Sequence, residues 1–321
     1  MKKLASLAAA ILAVAASLAV QAQAPWPSKT VRIISPFPPG GSVDQVARIL
    51  AAQLSTQTGQ QFIVENRTGA SGVIGTQAVA TAPADGYTWG VVFDTHAVNP
   101  ALMPSIPYDT LKDLTSVMLI GTSPMAIVAH RDVPYRDFRE ALEAAKRSSV
   151  AIGSIGTGSL GHLAVAQIST ITKATFTHIP YKGGGPLMVD AVGGQVPLAI
   201  GTVFLVTPHV KGGKVKALAV TSSRRSPQMP DVATVAEQGV PDFAALAWWG
   251  FIGPANLPPA IRKQMVDQLS AAIKTPAVVE KLSQQGMEIQ GGGPEEMERF
   301  LRSEMSRWAE VVRANGIRAG D

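Results

Sequence analysis

Residues 31–54 read VRIISPFPPGGSVDQVARILAAQL, and this stretch predicts a strand, a glycine-containing turn and a helix in succession. The β-branched run VRIIS is typical of a buried strand. After the two glycines we expect Ser42 to cap a helix, with Gln45 three residues later completing a capping box. Gly59 is expected to end this helix. Its apolar face recurs with a period of 3.6 residues and contains Val43, Val46, Ala47, Leu50 and Leu54.

The rest of the chain continues the alternation of apolar strands and amphipathic helices. Further strands are predicted at 61–67, 88–93, 150–156, 175–180, 196–201 and 215–222, with an extended crossing at 248–254. Helices are predicted at 72–82, at 135–148, from a glycine loop to about Thr172, after the loops KGGGP (182–186) and GTVF (201–204), and at 258–275, 276–286 and 294–315. Repeated strand–helix–strand units favour right-handed crossovers and parallel sheets. We therefore expect an α/β fold of two lobes with a cleft between them, lobe 1 being 25–122 plus 249–321 and lobe 2 being 123–248.

The first 22 residues have the pattern of a secretory signal peptide. Lys2 and Lys3 supply its positive start, an apolar run rich in Ala and Leu follows, and small residues precede a cleavage point after Ala22. Cleavage after Ala24 is the alternative, which would place Pro25 beside the scissile bond. An uncleaved membrane anchor is a second alternative, because the run approaches the roughly 20 residues that span a bilayer. We expect export to the periplasm with cleavage.

Composition and charge exclude several classes of function. Removal of the two signal-peptide lysines lowers the formal net charge from +5 to +3, and the remaining basic residues form no stripe for nucleic acid. The chain has no cysteine, which excludes disulfides, thiolate metal sites and a cysteine nucleophile. Its five histidines lack metal-binding spacing, and no G-x-S-x-G elbow occurs. We expect no metal site, no cofactor and no enzymatic activity.

Residues 153–162 read GSIGTGSLGH and contain the letters G-x-G-x-x-G of a dinucleotide-binding loop. Such a site needs an acidic residue about 20 positions further on, to hold the ribose hydroxyl. No Asp or Glu occurs from His162 to Val189, which argues against NAD. Backbone N–H groups at a helix start, with hydroxyls from Ser154, Thr157 and Ser159, suit a carboxylate instead. The alternative is a tight turn with Ser159 as the N-cap of the helix.

The loop at 35–44 has the same design of strand, turn, two glycines and hydroxyl. We expect these two loops to face each other across the cleft from different lobes. Phe37 either forms an apolar wall of the site or is an ordinary core aromatic. Asp44 is expected to complement the helix dipole. Asp94, which precedes Thr95 after the strand at 88–93, either accepts a hydrogen bond from a ligand or ties down its own loop, and we favour the loop.

A series of ordered motifs resembles one receptor family. The motifs are VRIISPFPPGGSVDQVARILAAQL, GQQFIVENRTGASGVIGTQAVATAPADGYT, HAVNPALM, PYDTLKDLTSV, GTGSLGHLA, THIPYKGGGP, VKALAVTSSRRSPQMPDVATVAEQGV and WWGFIGPANLPP. From about Trp26 to the C-terminus, the chain resembles the Bug-type solute receptors of tripartite tricarboxylate transporters.

The resemblance implies a periplasmic binding protein of the Venus flytrap type, whose two α/β lobes close on a ligand that is commonly a carboxylate. Loop backbone amides, hydroxyls and ordered water would hold the ligand, and ENR at 65–67 matches a family signature that we interpret as structural. The loops that match the family's ligand contacts are 37–42 and 154–162, with the region after 196–201 facing them. The candidate ligand-binding residues are Phe37, Pro39, Gly40, Gly41, Ser42, Asp94, Thr95, Ser154, Gly156, Thr157, Gly158, Ser159, His162, Thr202 and Val203.

One position departs from the family pattern. After VPLA, many members resemble "mfD", whereas this chain has Ile200, Gly201 and Thr202. The missing acid favours a purely anionic or aromatic acid over an amino acid, although Asp94 can compensate. The expected partners of a monomeric receptor are a small carboxylate and the membrane permease subunits of a tripartite transporter. Two alternatives stay open: a receptor that docks on a sensor-kinase ectodomain, and an amino-acid or nicotinate-type ligand.

Overall fold

The computed structural model describes residues 26–284 and 286–318, so the predicted signal peptide and its cleavage point lie outside the described residues. The strands found there are β1 (Val31–Ser35), β2 (Phe62–Asn66), β3 (Thr88–Phe93), β4 (Leu114–His130), β5 (Val150–Ser154), β6 (Phe176–Pro180), β7 (Leu198–Thr202), β8 (Val215–Val220), β9 (Leu246–Pro254) and β10 (Glu288–Gly292). The α-helices are α1 (Ser42–Thr58), α2 (Val73–Ala80), α3 (Thr95–Leu102), α4 (Phe138–Arg147), α5 (Leu160–Thr172), α6 (Gly184–Val192), α7 (Val203–Lys211), α8 (Pro259–Ala272), α9 (Pro276–Gln284) and α10 (Pro294–Ala314).

The long strand β4 joins two sheets. Up to Pro124 it pairs with β9, and from Met125 onward it pairs with β7 and β8. The first sheet has the order β2-β1-β3-β9-β4, with β10 also on β4, and the second has the order β6-β5-β7-β4-β8. Parallel pairs (β1 with β2 and β3; β5 with β6 and β7) combine with antiparallel pairs made by β9, β4, β8 and β10. The predicted two-lobed α/β fold with mixed sheets is confirmed, while the lobe boundaries at 122/123 and 248/249 stay a prediction.

Helix α1 follows the predicted pattern except at its first residue. The predicted apolar face is buried, and Gly59 ends the helix in a left-handed conformation (φ 70°) with its N–H donating to Ser55 O. The predicted capping box is wrong. Gly41 is the N-cap, no side chain caps the helix, and Ser42 is already helical. Gln45 donates instead to Gly40 O (Nε2–O 3.0 Å).

The sequence did not predict the long strand β4, and two shorter elements were also not expected. Residues 95–102 form α3 although Pro100 lies inside it. This helix packs against α10, and its first five residues and Leu102 are buried. Residues 288–292 form β10, a short strand with two glycines and an irregular register against β4. Proline and glycine weaken the local helix and strand signals, so long-range packing decides both elements.

One hydrophobic core runs from lobe 1 into lobe 2. An aromatic row crosses it, with ring centroids 6.2 Å apart for Phe37 and Phe93, 5.2 Å for Phe93 and Trp249, and 5.6 Å for Trp249 and Phe204. Phe204 and Trp249 are fully buried, and each such side chain stabilises the fold by roughly 2–3 kcal/mol. Because the row starts at Phe37, the loop after β1 is anchored to the core.

Candidate functional site

A cleft of about 530 Å³ lies where four loops meet. Two of them follow the parallel strands β1 and β2 of lobe 1, and two follow the parallel strands β5 and β6 of lobe 2. Ligands of open α/β sheets bind outside the carboxyl ends of strands, which is the position of this cleft. The lining residues are Pro36, Phe37, Pro38, Thr68, Gly69, Ala70, Ser71, Gly72, Ile155, Gly156, Thr157, Pro180, Tyr181 and Lys182.

The lobes touch each other around the cleft. Ser71 Oγ of lobe 1 donates to Thr157 O of lobe 2 at 2.9 Å. A Cβ added to Gly185 would lie only 2.8 Å from Pro39 O, so the loops before α1 and at the start of α6 pack backbone to backbone. The loop at 37–42 therefore lies against the KGGGP loop as well as facing 155–157 across the cleft.

The glycine loop after β5 uses its backbone N–H groups internally. Gly156 N donates to Ser154 Oγ (3.2 Å), and Gly158 N donates to His162 Nδ1 (3.1 Å). Ser159 is the N-cap of α5, as the alternative interpretation predicted, because its hydroxyl accepts from His162 N at 3.3 Å. Glycines at 156 and 158 adopt φ of 134° and 75°, which L side chains rarely adopt.

Two histidines support this loop from the side. The rings of His162 and His178 stack with centroids 3.9 Å apart and planes 4° apart. His178 Nε2 is 2.6 Å from Ser154 Oγ. Burial, with a smaller contribution from the neighbouring His162, lowers the pKa of His178 to about 4. His178 is therefore neutral at neutral pH and holds Ser154 in place without adding charge to the cleft.

The loop after β1 is likewise hydrogen-bonded within itself. Gly40 N donates to Asp44 Oδ2 (3.0 Å), and Gly41 N donates to Pro38 O (3.4 Å). Burial alone would raise the pKa of Asp44, but hydrogen bonds from Arg48, Asn66 and Gly40 lower it below its usual value. Asn66 also donates to Phe37 O at 2.9 Å, which agrees with a structural role for the ENR signature.

The segment 69–72 after β2 has an unusual backbone. Four consecutive residues have positive φ: 129° at Gly69, 46° at Ala70, 50° at Ser71 and 92° at Gly72. For a residue with a side chain, the left-handed region costs roughly 1–2 kcal/mol. Besides the bond to Thr157, Ser71 is held through its carbonyl, which accepts from Asn99 Nδ2 at 3.1 Å. Strained backbone of this kind is concentrated at functional sites.

Asp94 lies beside the cleft, at the contact between the lobes. Its Oδ1 accepts a hydrogen bond from Leu160 N at the start of α5 (3.4 Å), whereas Oδ2 is buried without a partner among the described residues. Burial first, and then the nearby Glu304, raise the pKa of Asp94 to about 8. Asp94 thus contacts the opposite lobe rather than only its own loop. Thr95 is buried in the first turn of α3.

Of the predicted ligand-binding residues, Phe37, Gly156 and Thr157 line the cleft. Thr202 caps α7, accepting from Leu205 N at 3.1 Å, and Val203 is fully buried. Outside the lining set lie Pro39, Gly40, Gly41, Ser42, Asp94, Thr95, Ser154, Gly158, Ser159, His162, Thr202 and Val203. Their contact with a ligand stays a prediction.

Eight of the fourteen lining residues lie outside the two loops that the sequence predicted. Thr68–Gly72 follow β2 and Pro180–Lys182 end or follow β6. Both loops come at the carboxyl end of a strand predicted to be parallel to its neighbour, and the strand-end rule points to both. The strand-end signal was therefore present in the sequence, but the glycine–hydroxyl patterns pointed to other loops.

Two other cavities are comparable in volume, at about 590 and 720 Å³. The first is lined by α8, α10 and the residues just before them, and the second lies near Pro124 and Leu246, where β4 passes from the first sheet to the second. Neither lies at the carboxyl ends of the parallel strands, so the four-loop cleft is the candidate site. Within the described ranges, no cluster of three or more His, Asp or Glu side chains is placed to hold a metal ion. No described helix combines the length and apolar character needed to cross a membrane.

Comparisons with known proteins agree with this architecture. The sequence model of the tripartite tricarboxylate transporter family receptor matches residues 46–317. Protein BugT of Bordetella pertussis (strain Tohama I) is 39% identical over 298 residues, which cover 91% of this chain and 91% of BugT.

Two solved structures from Rhodopseudomonas palustris are also similar. Rpa4515 with adipate has a TM-score of 0.88 and 32% identity, covering 91% of this chain and 99% of that chain. MatC (Rpa3494) with bound malate has a TM-score of 0.82 and 30% identity, covering 89% of this chain and all of that chain. The chain therefore belongs to the family of tripartite tricarboxylate transporter receptors and is a periplasmic solute-binding receptor of that family.

Proposed function

We propose that this receptor captures a small organic carboxylate, either a mono- or dicarboxylate and including aromatic acids, in the cleft between its lobes. The observation that carries the proposal is the lining itself: hydroxyls, glycine backbone and one lysine converge there, and none of the described residues that line the cleft is acidic. Such a surface suits an anion. The similar proteins Rpa4515 and MatC, whose structures contain adipate and malate, support the same class of ligand.

Closure of the lobes is expected to retain the ligand. The cross-lobe bond from Ser71 to Thr157 lies at the edge of the cleft, and the lobes share the continuous strand β4 as a hinge. Closing excludes water, which strengthens hydrogen bonds between the protein and a charged ligand. The protein acts in this proposal as a binder, not as an enzyme, and needs no cofactor.

A thermal-shift screen with malate, adipate, benzoate and glutamate tests the ligand class. We expect at least one of the first three acids to raise the melting temperature, and isothermal titration calorimetry to give a one-to-one stoichiometry. A rise with glutamate alone would favour the amino-acid alternative. If sugars or organic cations stabilise the protein and none of these acids does, the proposal is wrong.

The proposed destination of the ligand is a pair of membrane permease subunits, as the family implies. Uptake of the labelled acid should fall in cells that lack the receptor and recover when the receptor is restored. If uptake is unchanged but transcription no longer responds to the acid, the sensor-kinase alternative is favoured. The same cells test export, because mass spectrometry of the periplasmic protein should find a chain beginning at Gln23. A chain beginning at Pro25 would place cleavage after Ala24.

A further inference from the structure

The charge of the cleft comes from one side chain. Among the described residues that line the cleft, only Tyr181 and Lys182 have ionisable side chains. Burial, together with the hydrogen bond to Asp190, raises the pKa of Tyr181 above its usual value, so the phenol is neutral at neutral pH. The ammonium of Lys182 is therefore the single formal charge that the lining residues present.

Five backbone amides of the two glycine loops already donate hydrogen bonds within the protein. In the loop after β5, the N–H groups of Gly156, Gly158 and Leu160 all donate within the protein. In the loop before α1, Gly40 N and Gly41 N do the same. A ligand carboxylate that used these five amides would have to displace their bonds and leave the present acceptors without a partner. Neutralisation by a free cation avoids this loss.

Lys182 is such a cation. Its side chain is exposed and takes no part in an ion pair or hydrogen bond with the described residues. The next acid along the chain, Asp190, accepts from Tyr181 OH at 3.0 Å. No described partner therefore competes with a ligand for the Lys182 ammonium.

The backbone that carries Lys182 is held on both sides. Tyr181 N donates to Ser154 O (2.9 Å), which extends the pairing of β5 and β6. On the other side, Gly183 adopts φ 121°, and an added Cβ there would lie 2.8 Å from Pro38 Cδ of lobe 1. The backbone of Lys182 is thus held in place where the lobes meet, whereas its side chain is a flexible chain of four methylenes.

Building on the proposed function, we propose that Lys182 supplies the charge that neutralises the ligand's carboxylate and makes this receptor select acids over neutral molecules of the same shape. A lysine ammonium is a point charge on a flexible stem, so it recognises the charge rather than the outline of the ligand. Closure of the lobes desolvates the pair, which makes it stronger than an exposed surface ion pair.

The test compares Lys182→Gln with Lys211→Gln, which removes an exposed lysine of the same lobe outside the cleft lining. Calorimetry measures the affinity of each variant for malate, adipate and benzoate, and for malamide, adipamide and benzamide. For each acid that binds the wild type, K182Q should weaken binding about tenfold and K211Q less than about twofold. Affinity for the amides should change less than about twofold in either variant.

Two further measurements separate charge from shape. Lys182→Arg keeps the charge and should recover most of the affinity for the acid. Raising sodium chloride from about 20 to about 300 mM should weaken acid binding to the wild type more than to K182Q, because salt screens the ammonium. Since the side chain of Lys182 is exposed, K182Q and K182R should melt at the wild-type temperature.

The possible failures are distinct. A wild type that binds none of the three acids overturns the proposed function, and this inference with it. A wild type that binds an acid while K182Q and K211Q behave alike overturns the role of Lys182 alone. Equal losses of acid and amide affinity in K182Q also overturn it, because they would mean that the variant changed the shape of the site rather than its charge.

Discussion

The glycine loop (153–162) of lobe 2 and the strained segment (69–72) of lobe 1 meet across the cleft but are stabilised in opposite ways. The glycine loop places glycine at its positive φ values and satisfies the N–H groups of Gly156 and Gly158 within itself. The strained segment places Ala70 and Ser71 in the left-handed region and depends on bonds to Thr157 and Asn99. One wall of the cleft is therefore preformed, whereas the other takes its shape from contact with it.

The largest effect is expected from Gly158→Val, which breaks the preformed wall. Gly158 has φ 75°, and an added Cβ would lie 2.0 Å from Leu102 Cδ2, so the variant suffers both backbone strain and overpacking. These two effects together should lower the free energy of unfolding by about 3–4 kcal/mol. Urea denaturation measures the change.

Gly40→Ala is the matched control for that variant. Gly40 also has positive φ (81°), but nothing lies within 4 Å of an added Cβ. Only the backbone strain remains, and the loss should be about 1 kcal/mol. Equal losses in the two variants would contradict the packing of the glycine loop against Leu102.

Asp94→Asn tests the buried acid that holds the glycine loop at Leu160. Between the ordinary pKa near 4 and the raised pKa of about 8, the folded state keeps a proton that the unfolded chain releases. Asp94 therefore makes the folded state less stable as the pH rises through this range, by about 1.4 kcal/mol per pH unit. Asn does not titrate, so the stability of the wild type relative to D94N should fall by about 3 kcal/mol from pH 5 to pH 7.

Urea denaturation across this pH range checks the slope. Asp231→Asn serves as the control, because Asp231 is exposed and makes no described hydrogen bond. The curves for D231N and wild type should run parallel. Parallel curves for D94N and wild type would mean that Asp94 is ionised in the folded protein.

Ser71→Ala removes the hydrogen bond that joins the strained segment to the glycine loop. The variant keeps the left-handed backbone but loses the donor to Thr157 O, so unfolding should become easier by about 1 kcal/mol. Since the bond joins the lobes, release of a bound acid should also be about fivefold faster in stopped-flow measurements. Thr56→Ala removes a surface hydroxyl of α1 and should leave the release rate unchanged.

The smallest effect is expected from Ala70→Gly. Glycine adopts φ near 46° without the strain that alanine suffers, although it makes the unfolded chain more flexible. The net result should be a stabilisation of about 0.5 kcal/mol, seen as a small rise in melting temperature. A clear destabilisation would show that the segment 69–72 is not strained by its side chains.

The sequence predicts most of the fold because its signals are local. The strands at 31–35 and 88–93 have the predicted bounds, and Gly59 ends its helix as expected. Ser159 begins its helix as the alternative interpretation predicted. Positive φ and side-chain capping act within a few residues, so they can be read without knowing the fold. Ser42 is the exception, because Gln45 and Asp44 bond to Gly40 and leave the expected cap unused.

By itself the sequence determined the two-lobed α/β architecture, the receptor family and the glycine-rich turns. The hydrophobic period, the turn residues and the order of the motifs are local features of the chain. Only the tertiary structure decided which loops face the cleft and which backbone N–H groups have partners. Leu160 N donates to Asp94 over a sequence separation of 66 residues, and Ser71 Oγ donates to Thr157 O over a separation of 86 residues. Such pairings depend on how the two sheets meet along β4, and no local pattern encodes that geometry.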